Sequence, residues 1–240
     1  MRVGVISEGR ADFAVVRSIL KAALGLDAAE VDSIRPDLQA DETDLNAPDE
    51  RVFSNWELVK KECRELARIV QYLGSELAEA RLVVVQIDAA ECELPNFGVV
   101  RPDRGRDDYV SACQQAVVDT IRAWILEGPN ASMQPWVVEA VAVEETDAWL
   151  LPLYDTERRS DSGALPNPKE RLARCLQVTN RFTKQQRLSI LREPEMLRRY
   201  DALSAPLRKG KELREAMTRN ASLRCFVDAL QAAAARIEPA

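Results

Sequence analysis

Glu8, Asp88 and the run Glu144-Glu145-Thr146-Asp147 are acids that each follow directly on an apolar segment. The segments are residues 2–7 (Arg-Val-Gly-Val-Ile-Ser), 81–87 (Arg-Leu-Val-Val-Val-Gln-Ile) and 136–143 (Trp-Val-Val-Glu-Ala-Val-Ala-Val). Each reads as a buried β-strand, and a continuous apolar run suits a parallel strand covered on both faces. Ligands of an open parallel sheet bind outside the carboxyl ends of its strands, so acids at three such ends converge. Converging carboxylates repel one another unless a cation neutralises them. The chemistry open to this set is to hold Mg²⁺ or Mn²⁺, to activate water and to offset charge on a phosphoryl group. Each acid also has a purely structural reading. Glu8 can cap the first helix, Asp88 can be a turn residue, and 144–147 can be the acidic first turn of a helix.

Other chemistries are excluded by composition. The chain has 240 residues and no histidine, which removes Ser-His-Asp and Cys-His catalysis and histidine metal sites. Five cysteines are scattered without a Cys-x-x-Cys pair, so neither a zinc site nor a disulfide framework is expected. Cys63 and Cys113 fall on apolar helical faces and read as buried thiols. No Gly-x-Gly-x-x-Gly or Walker A sequence supplies a phosphate cradle. Net charge is −6 but uneven: residues 1–150 hold 15 Lys and Arg against 28 Asp and Glu, and residues 151–240 hold 18 against 11. An acidic half followed by a basic half suits a carboxylate site beside a surface that grips a polyanion, or equally a set of solvated Arg-rich helices.

The elements that must position the acids follow from periodicity. After the turn at Glu8-Gly9-Arg10, apolar positions Phe13, Val16, Leu20 and Ala23 predict a helix, and a short strand is expected at Val31–Ile34, ended by Pro36. Residues 37–53 read as a surface loop. Ser54 and Glu57 form a capping box for one long helix with Trp56, Val59, Cys63, Leu66, Val70, Leu73 and Leu77 on its buried face. A second amphipathic helix uses Val110, Cys113, Val117, Ile121 and Trp124. Residues 155–168 read as a polar linker, and the remainder as short helices separated by Pro194, Pro206 and Gly210. Trp149 reads as core packing rather than as a base-stacking platform.

With these residues in place, a family resemblance emerges. Val5-Ile6-Ser7-Glu8-Gly9-Arg10-Ala11-Asp12 resembles the first Toprim motif, a strand ending in Glu-Gly before a helix. Val84-Val85-Gln86-Ile87-Asp88-Ala89-Ala90-Glu91 sits where that family carries Asp-x-Asp. Asp147-Ala148-Trp149-Leu150-Leu151 resembles the acid-x-Trp-Leu-Leu signature of a bacterial branch that includes RloB-like proteins and relatives of the OLD nucleases. Leu165-Pro166-Asn167-Pro168-Lys169, Phe182-Thr183-Lys184 and Ser222-Leu223-Arg224-Cys225-Phe226 resemble its helical tail. One departure stands out: the Asp-x-Asp pair lacks an acid, whether Ala90 or Gln86 fills the missing place, and Glu91 stands one residue further on.

The resemblance implies a Rossmann-like Toprim fold: a mainly parallel α/β sheet flanked by helices over residues 1–154, with a helical extension over 155–240 packed on it. It implies a Mg²⁺- or Mn²⁺-dependent nuclease acting on DNA or RNA, a role as an antiphage defence effector, and an ATPase partner. The catalytic acids are then Glu8, Asp88 and Asp147, with Glu91, Glu144 and Glu145 as further metal ligands. Arg10, Arg104, Arg106 and Lys184 are the expected phosphate contacts, with Arg101 a further basic candidate. The alternative is a Toprim scaffold that has lost an acid and serves as an interaction or regulatory module for an ATPase partner. A small-molecule phosphohydrolase or phosphotransferase using the same site is a weaker third reading. No apolar run is long enough to span a bilayer and the start reads as a strand, so a cytoplasmic protein is expected.

Overall fold

The computed structural model describes residues 1–38, 55–74, 80–129, 131–157 and 160–237. Four strands, β1 (Arg2–Ile6), β2 (Val31–Arg35), β3 (Arg81–Asp88) and β4 (Val137–Ala142), form one all-parallel sheet in the order β2-β1-β3-β4. The helices in chain order are α1 (Arg10–Leu24), α2 (Trp56–Glu65), α3 (Ala67–Leu73), α4 (Tyr109–Leu126), α5 (Asp147–Tyr154), α6 (Pro168–Val178), α7 (Lys184–Arg192), α8 (Met196–Ser204), α9 (Gly210–Thr218) and α10 (Ala221–Ile237). Every strand expected from the sequence is present. The protein is therefore mixed α/β, a parallel sheet flanked by helices.

Period-two alternation sorts the strand residues into two cores. Val3, Val5, Leu82, Val84, Val138, Ala140 and Ala142 pack with α1, α5, α8, α9 and α10. Ile6, Val83, Val85, Ile87, Val137, Val141 and Val143 pack with α2, α3 and α4. The helices after residue 155 are part of the first of these cores: α8 packs on α1, and α10 on β4. Trp149 is fully buried there, stacked on Phe226 with ring centroids 5.6 Å apart, and its Nε1 donates to Ser222 Oγ at 2.9 Å. The polar segment before α6 is anchored as well. Asp155 pairs with Arg171 at 2.7 Å, and Ser162 N donates to the Arg219 carbonyl at 2.9 Å.

The single long helix expected after residue 54 is instead two: the chain breaks at Leu66, which takes the left-handed conformation (φ 56°) between α2 and α3. The break turns the buried face, so Ile69 becomes fully buried while Val70 and Leu73 are only partly so. The junction is closely packed from outside. Gly128, just beyond α4, lies so close to the α2–α3 junction that an added Cβ would collide with the Arg64 carbonyl and stand 3.1 Å from Leu66 Cδ1. A backbone carbonyl cannot swing away as a side chain can. Gly128→Ala is therefore expected to destabilise by roughly 1–3 kcal/mol, the usual cost of overpacking, read as a lower urea midpoint. An unchanged midpoint would show that the junction is looser than this. Asn55 caps α2 by accepting from Leu58 N at 3.0 Å. Ser54, residues 39–53 and Leu77 lie outside the described residues.

All five cysteines are free, and four of them, Cys63 and Cys113 included, are buried. Among the described residues no helix is long and apolar enough to cross a membrane.

Candidate metal centre

The chain runs from β1 outward to β2, then returns to the other side of β1 for β3 and continues to β4. The direction of winding therefore reverses between β1 and β3. The crevice outside the carboxyl ends at such a reversal is where open α/β sheets bind ligands. Glu8 and Asp88 sit at the two strand ends that flank it. Glu8 Oε1 accepts from Asp88 N at 2.6 Å. Gln86 completes the join: its Oε1 accepts from Glu8 N at 3.1 Å and its Nε2 donates to Asp88 Oδ1 at 2.8 Å. Gln86 and Asp88 stand opposite Ala140 and Ala142 across the β3–β4 ladder.

α1 adds an acid that lies at no strand end. Its N-cap is Gly9, with no side-chain cap bond, so Glu8 is not the helix cap. One turn in, Asp12 Oδ1 accepts from Thr146 Oγ1 at 2.5 Å, which draws α1 to the turn after β4. On that turn Asp147 opens α5, and its Oδ1 accepts from Tyr200 of α8 at 2.9 Å. Glu145 precedes Thr146 on the same turn and repels both Asp12 and Asp147. The positive end of α6 faces it, because Lys169, the second residue of that helix, donates its backbone N–H.

The electrostatics tie these five acids into one group. Glu8 is pushed up to about 8, first because burial penalises its charge and then because Asp12 and Glu91 repel it; the Asp88 amide works in the opposite sense. Asp12 is pushed up to about 6 by burial, against its bond from Thr146, with Asp147 and Glu145 adding repulsion. Asp88 lies well above the usual carboxylate range through burial and repulsion from Asp12, Glu8, Asp147 and Glu145. Glu145 and Asp147 are raised by burial too, and Lys169 partly offsets both. Among the described residues none of the five forms an ion pair with a lysine or arginine.

The other expected site residues fall in different places. Glu91 lies in the short turn after β3, close enough to repel Glu8. Glu144 is engaged elsewhere: its Oε1 accepts from Arg101 at 2.6 Å, Arg104 at 2.7 Å and Tyr109 at 2.8 Å. Arg104 is therefore a partner of Glu144 and lies over the Tyr109 ring. Arg106 pairs with its neighbour Asp108 at the surface. Arg10, the first residue of α1, donates to the Asp37 carbonyl at 3.3 Å. Lys184 opens α7 behind the Thr183–Gln186 capping box and is exposed. Position at a strand end does not mark Asp12, Gln86, Thr146, Lys169 or Tyr200 as site residues. For Asp12 the signal was present, an acid four residues after Glu8 and so on the first turn of the helix that follows. Tyr200 and Lys169 reach the site only through the packing of α8 and α6.

Carboxylate oxygens are the hard donors that Mg²⁺ and Mn²⁺ take. Among the described residues no three acids or cysteines stand close enough together to share one ion. An ion here would therefore take one or two of these carboxylates and complete its shell with water and phosphate oxygens, the usual mode of Mg²⁺. Comparisons of the chain with protein-family models, with curated proteins and with solved structures find no match.

Proposed function

We propose that the chain is a Mg²⁺- or Mn²⁺-dependent nuclease of Toprim type, cleaving phosphodiesters at the crevice between β1 and β3. The observation that carries this reading is the group Glu8, Asp12, Asp88, Glu145 and Asp147, raised together by burial and mutual repulsion at the winding reversal. Perturbed acids in a cleft are characteristic of sites that bind cations or move protons. The Toprim identity is supported by the Glu8-Gly9 turn after β1, the Asp88 terminus of β3 and the Asp147-Ala148-Trp149-Leu150-Leu151 run on α5. An antiphage role beside an ATPase partner rests on that resemblance alone.

A bound divalent ion would supply an activated water and offset charge on the phosphoryl group. The chain's own residues do the rest. Gln86, Thr146 and Tyr200 each fix one carboxylate (Asp88, Asp12 and Asp147) by a single hydrogen bond. Glu8 holds a proton at neutral pH when no cation is near, so it is the group suited to take up or release one at its Oε atoms. Lys169 and Arg199 act on Asp147 from α6 and α8, and their positive charge partly offsets its upward shift.

Part of the basic tail is neutralised within the fold. Arg171, Arg181, Arg198 and Arg208 pair with Asp155, Glu212, Glu195 and Asp201. Exposed Arg174, Lys184, Lys209 and Lys211 remain to meet phosphate. Cleavage of plasmid, single-stranded DNA and RNA with Mg²⁺ or Mn²⁺ tests the reading. Metal-dependent cleavage is expected, with binding that weakens by about 0.9 log unit per tenfold salt for each phosphate contacted on duplex DNA. A salt-independent affinity would remove the tail from substrate binding. No cleavage with any of the three substrates would count against the nuclease and favour the interaction-module reading, which the Gln86 latch in place of a second acid also suits.

A further inference from the structure

Between the ends of β3 and β4 lies a second polar cluster, centred on Arg101, whose side chain is only 7% exposed. Its guanidinium donates to Glu144 Oε1 at 2.6 Å, to Tyr109 OH at 2.9 Å, and to the carbonyls of Ala89 and Ala90 at 2.5 and 3.0 Å. It also pairs with Glu93 at 3.1 Å. Glu144 is held in the left-handed region (φ 69°), which a residue with a Cβ seldom adopts. Its carbonyl accepts from Ala90 N at 3.0 Å. One planar group thus ties three pieces of chain together: the turn after β3, the start of α4, and the turn after β4.

The sequence positions of these contacts matter. Ala89 follows Asp88 directly, and Glu145 and Asp147 come one and three residues after Glu144. The clasp therefore grips the backbone beside both halves of the acid group. An ion pair that served stability alone would not need two consecutive main-chain carbonyls. The fork of a guanidinium can hold a carboxylate, a phenol and those carbonyls at once, whereas an ammonium has three donors at one point.

We propose that Arg101 is a positioning residue: it sets the spacing of Asp88 from Glu145 and Asp147, and through it the affinity for a divalent ion. This rests on the metal reading given above. Residues behind the ligands of a metal site commonly change its affinity by about ten- to a hundred-fold when altered.

The test compares Arg101→Lys and Arg101→Met with Arg122→Met, measuring free Mn²⁺ by electron paramagnetic resonance and the melting temperature in a chelator. Arg122 pairs at 2.9 Å with Glu139, an equally buried acid in the middle of β4, away from the turns. The Arg101 variants are expected to bind Mn²⁺ about ten- to a hundred-fold more weakly. Arg122→Met is expected to melt earlier with Mn²⁺ affinity unchanged. Arg101→Lys keeps a cation beside Glu144 and remains informative where Arg101→Met does not fold. Unchanged affinity in Arg101→Lys would overturn the positioning role, because charge alone would then suffice. An equal loss in Arg122→Met would overturn it too, as general softening. If the unaltered protein binds no Mn²⁺, the metal reading itself fails and takes the clasp's role with it.

Discussion

Glu8→Gln is expected to abolish metal-dependent cleavage while making the metal-free protein more stable at pH 8. The two effects have one cause. The carboxylate of Glu8 sits among Asp12, Asp88 and Glu91 and is pushed up to about 8. Ionising it without a cation costs free energy, about 1.4 kcal/mol for each unit of displacement. An amide keeps the bond from Asp88 N, since its oxygen accepts as well, and carries no charge. It cannot serve as an anionic ligand or accept a proton, so a loss of about a thousandfold or more in cleavage rate is expected if Glu8 moves the proton or holds the ion. Initial rates and thermal melts on the same preparation check both halves. Full activity in Glu8→Gln would remove Glu8 from the site. A variant less stable than its parent at pH 8 would show that the carboxylate is not under repulsion.

Without divalent ions, the fold is expected to weaken as pH rises from 5 to 8. Glu8 binds its proton more tightly folded than unfolded, with a pKa of about 8 against 4.5, and Asp12 does the same at about 6 against 3.8. The unfolded chain therefore holds fewer protons than the native state across that window, and stability falls with pH. The contribution is fully present below the unfolded values. It is lost through pH 6 for Asp12 and through pH 8 for Glu8. Saturating Mg²⁺ or Mn²⁺ binds the ionised native form and should restore the melting temperature most at the alkaline end. Melts in a chelator and in metal across this range measure it. A metal-free stability that rises from pH 5 to 8 would mean that the acids are already neutralised within the fold.

The sheet was legible in the sequence because its information is local. β1, β3 and β4 are short, apolar and end in an acid or a polar turn, and α4 carries its buried residues at helical spacing. The order of the strands was less so, since it depends on which side of β1 each crossover passes. The break at Leu66 was hidden for a related reason. The apolar pattern through residues 56–73 suits one helix, and the pattern carries nothing of the close approach of Gly128, sixty residues later, to the junction.

The site was half legible. Glu8, Asp88, Glu145 and Asp147 follow from strand ends. Asp12 needed the further step of placing α1 against the turn after β4, which Thr146 achieves. The partners Tyr200 and Lys169 come from helices that carry no local sign of contact with the sheet. Glu144 shows the limit most clearly. By position it is as good a ligand as Glu145, and only Arg101, far back in the chain, commits it to another task. The missing second acid of the strand motif has a physical counterpart in Gln86, whose amide joins Glu8 to Asp88 in a way a carboxylate could not, since it donates and accepts at once.

The most direct test of the metal centre is Mn²⁺ titration by calorimetry at pH 7 in two buffers of different ionisation enthalpy. Ligands must be deprotonated to bind, so metal uptake by raised carboxylates expels protons. With Glu8 pushed up to about 8 and Asp88 raised by burial and repulsion in the metal-free chain, the account predicts saturable binding with net proton release, both lost in Asp88→Asn. Absence of binding, or binding with no proton exchange that survives Asp88→Asn, would contradict it.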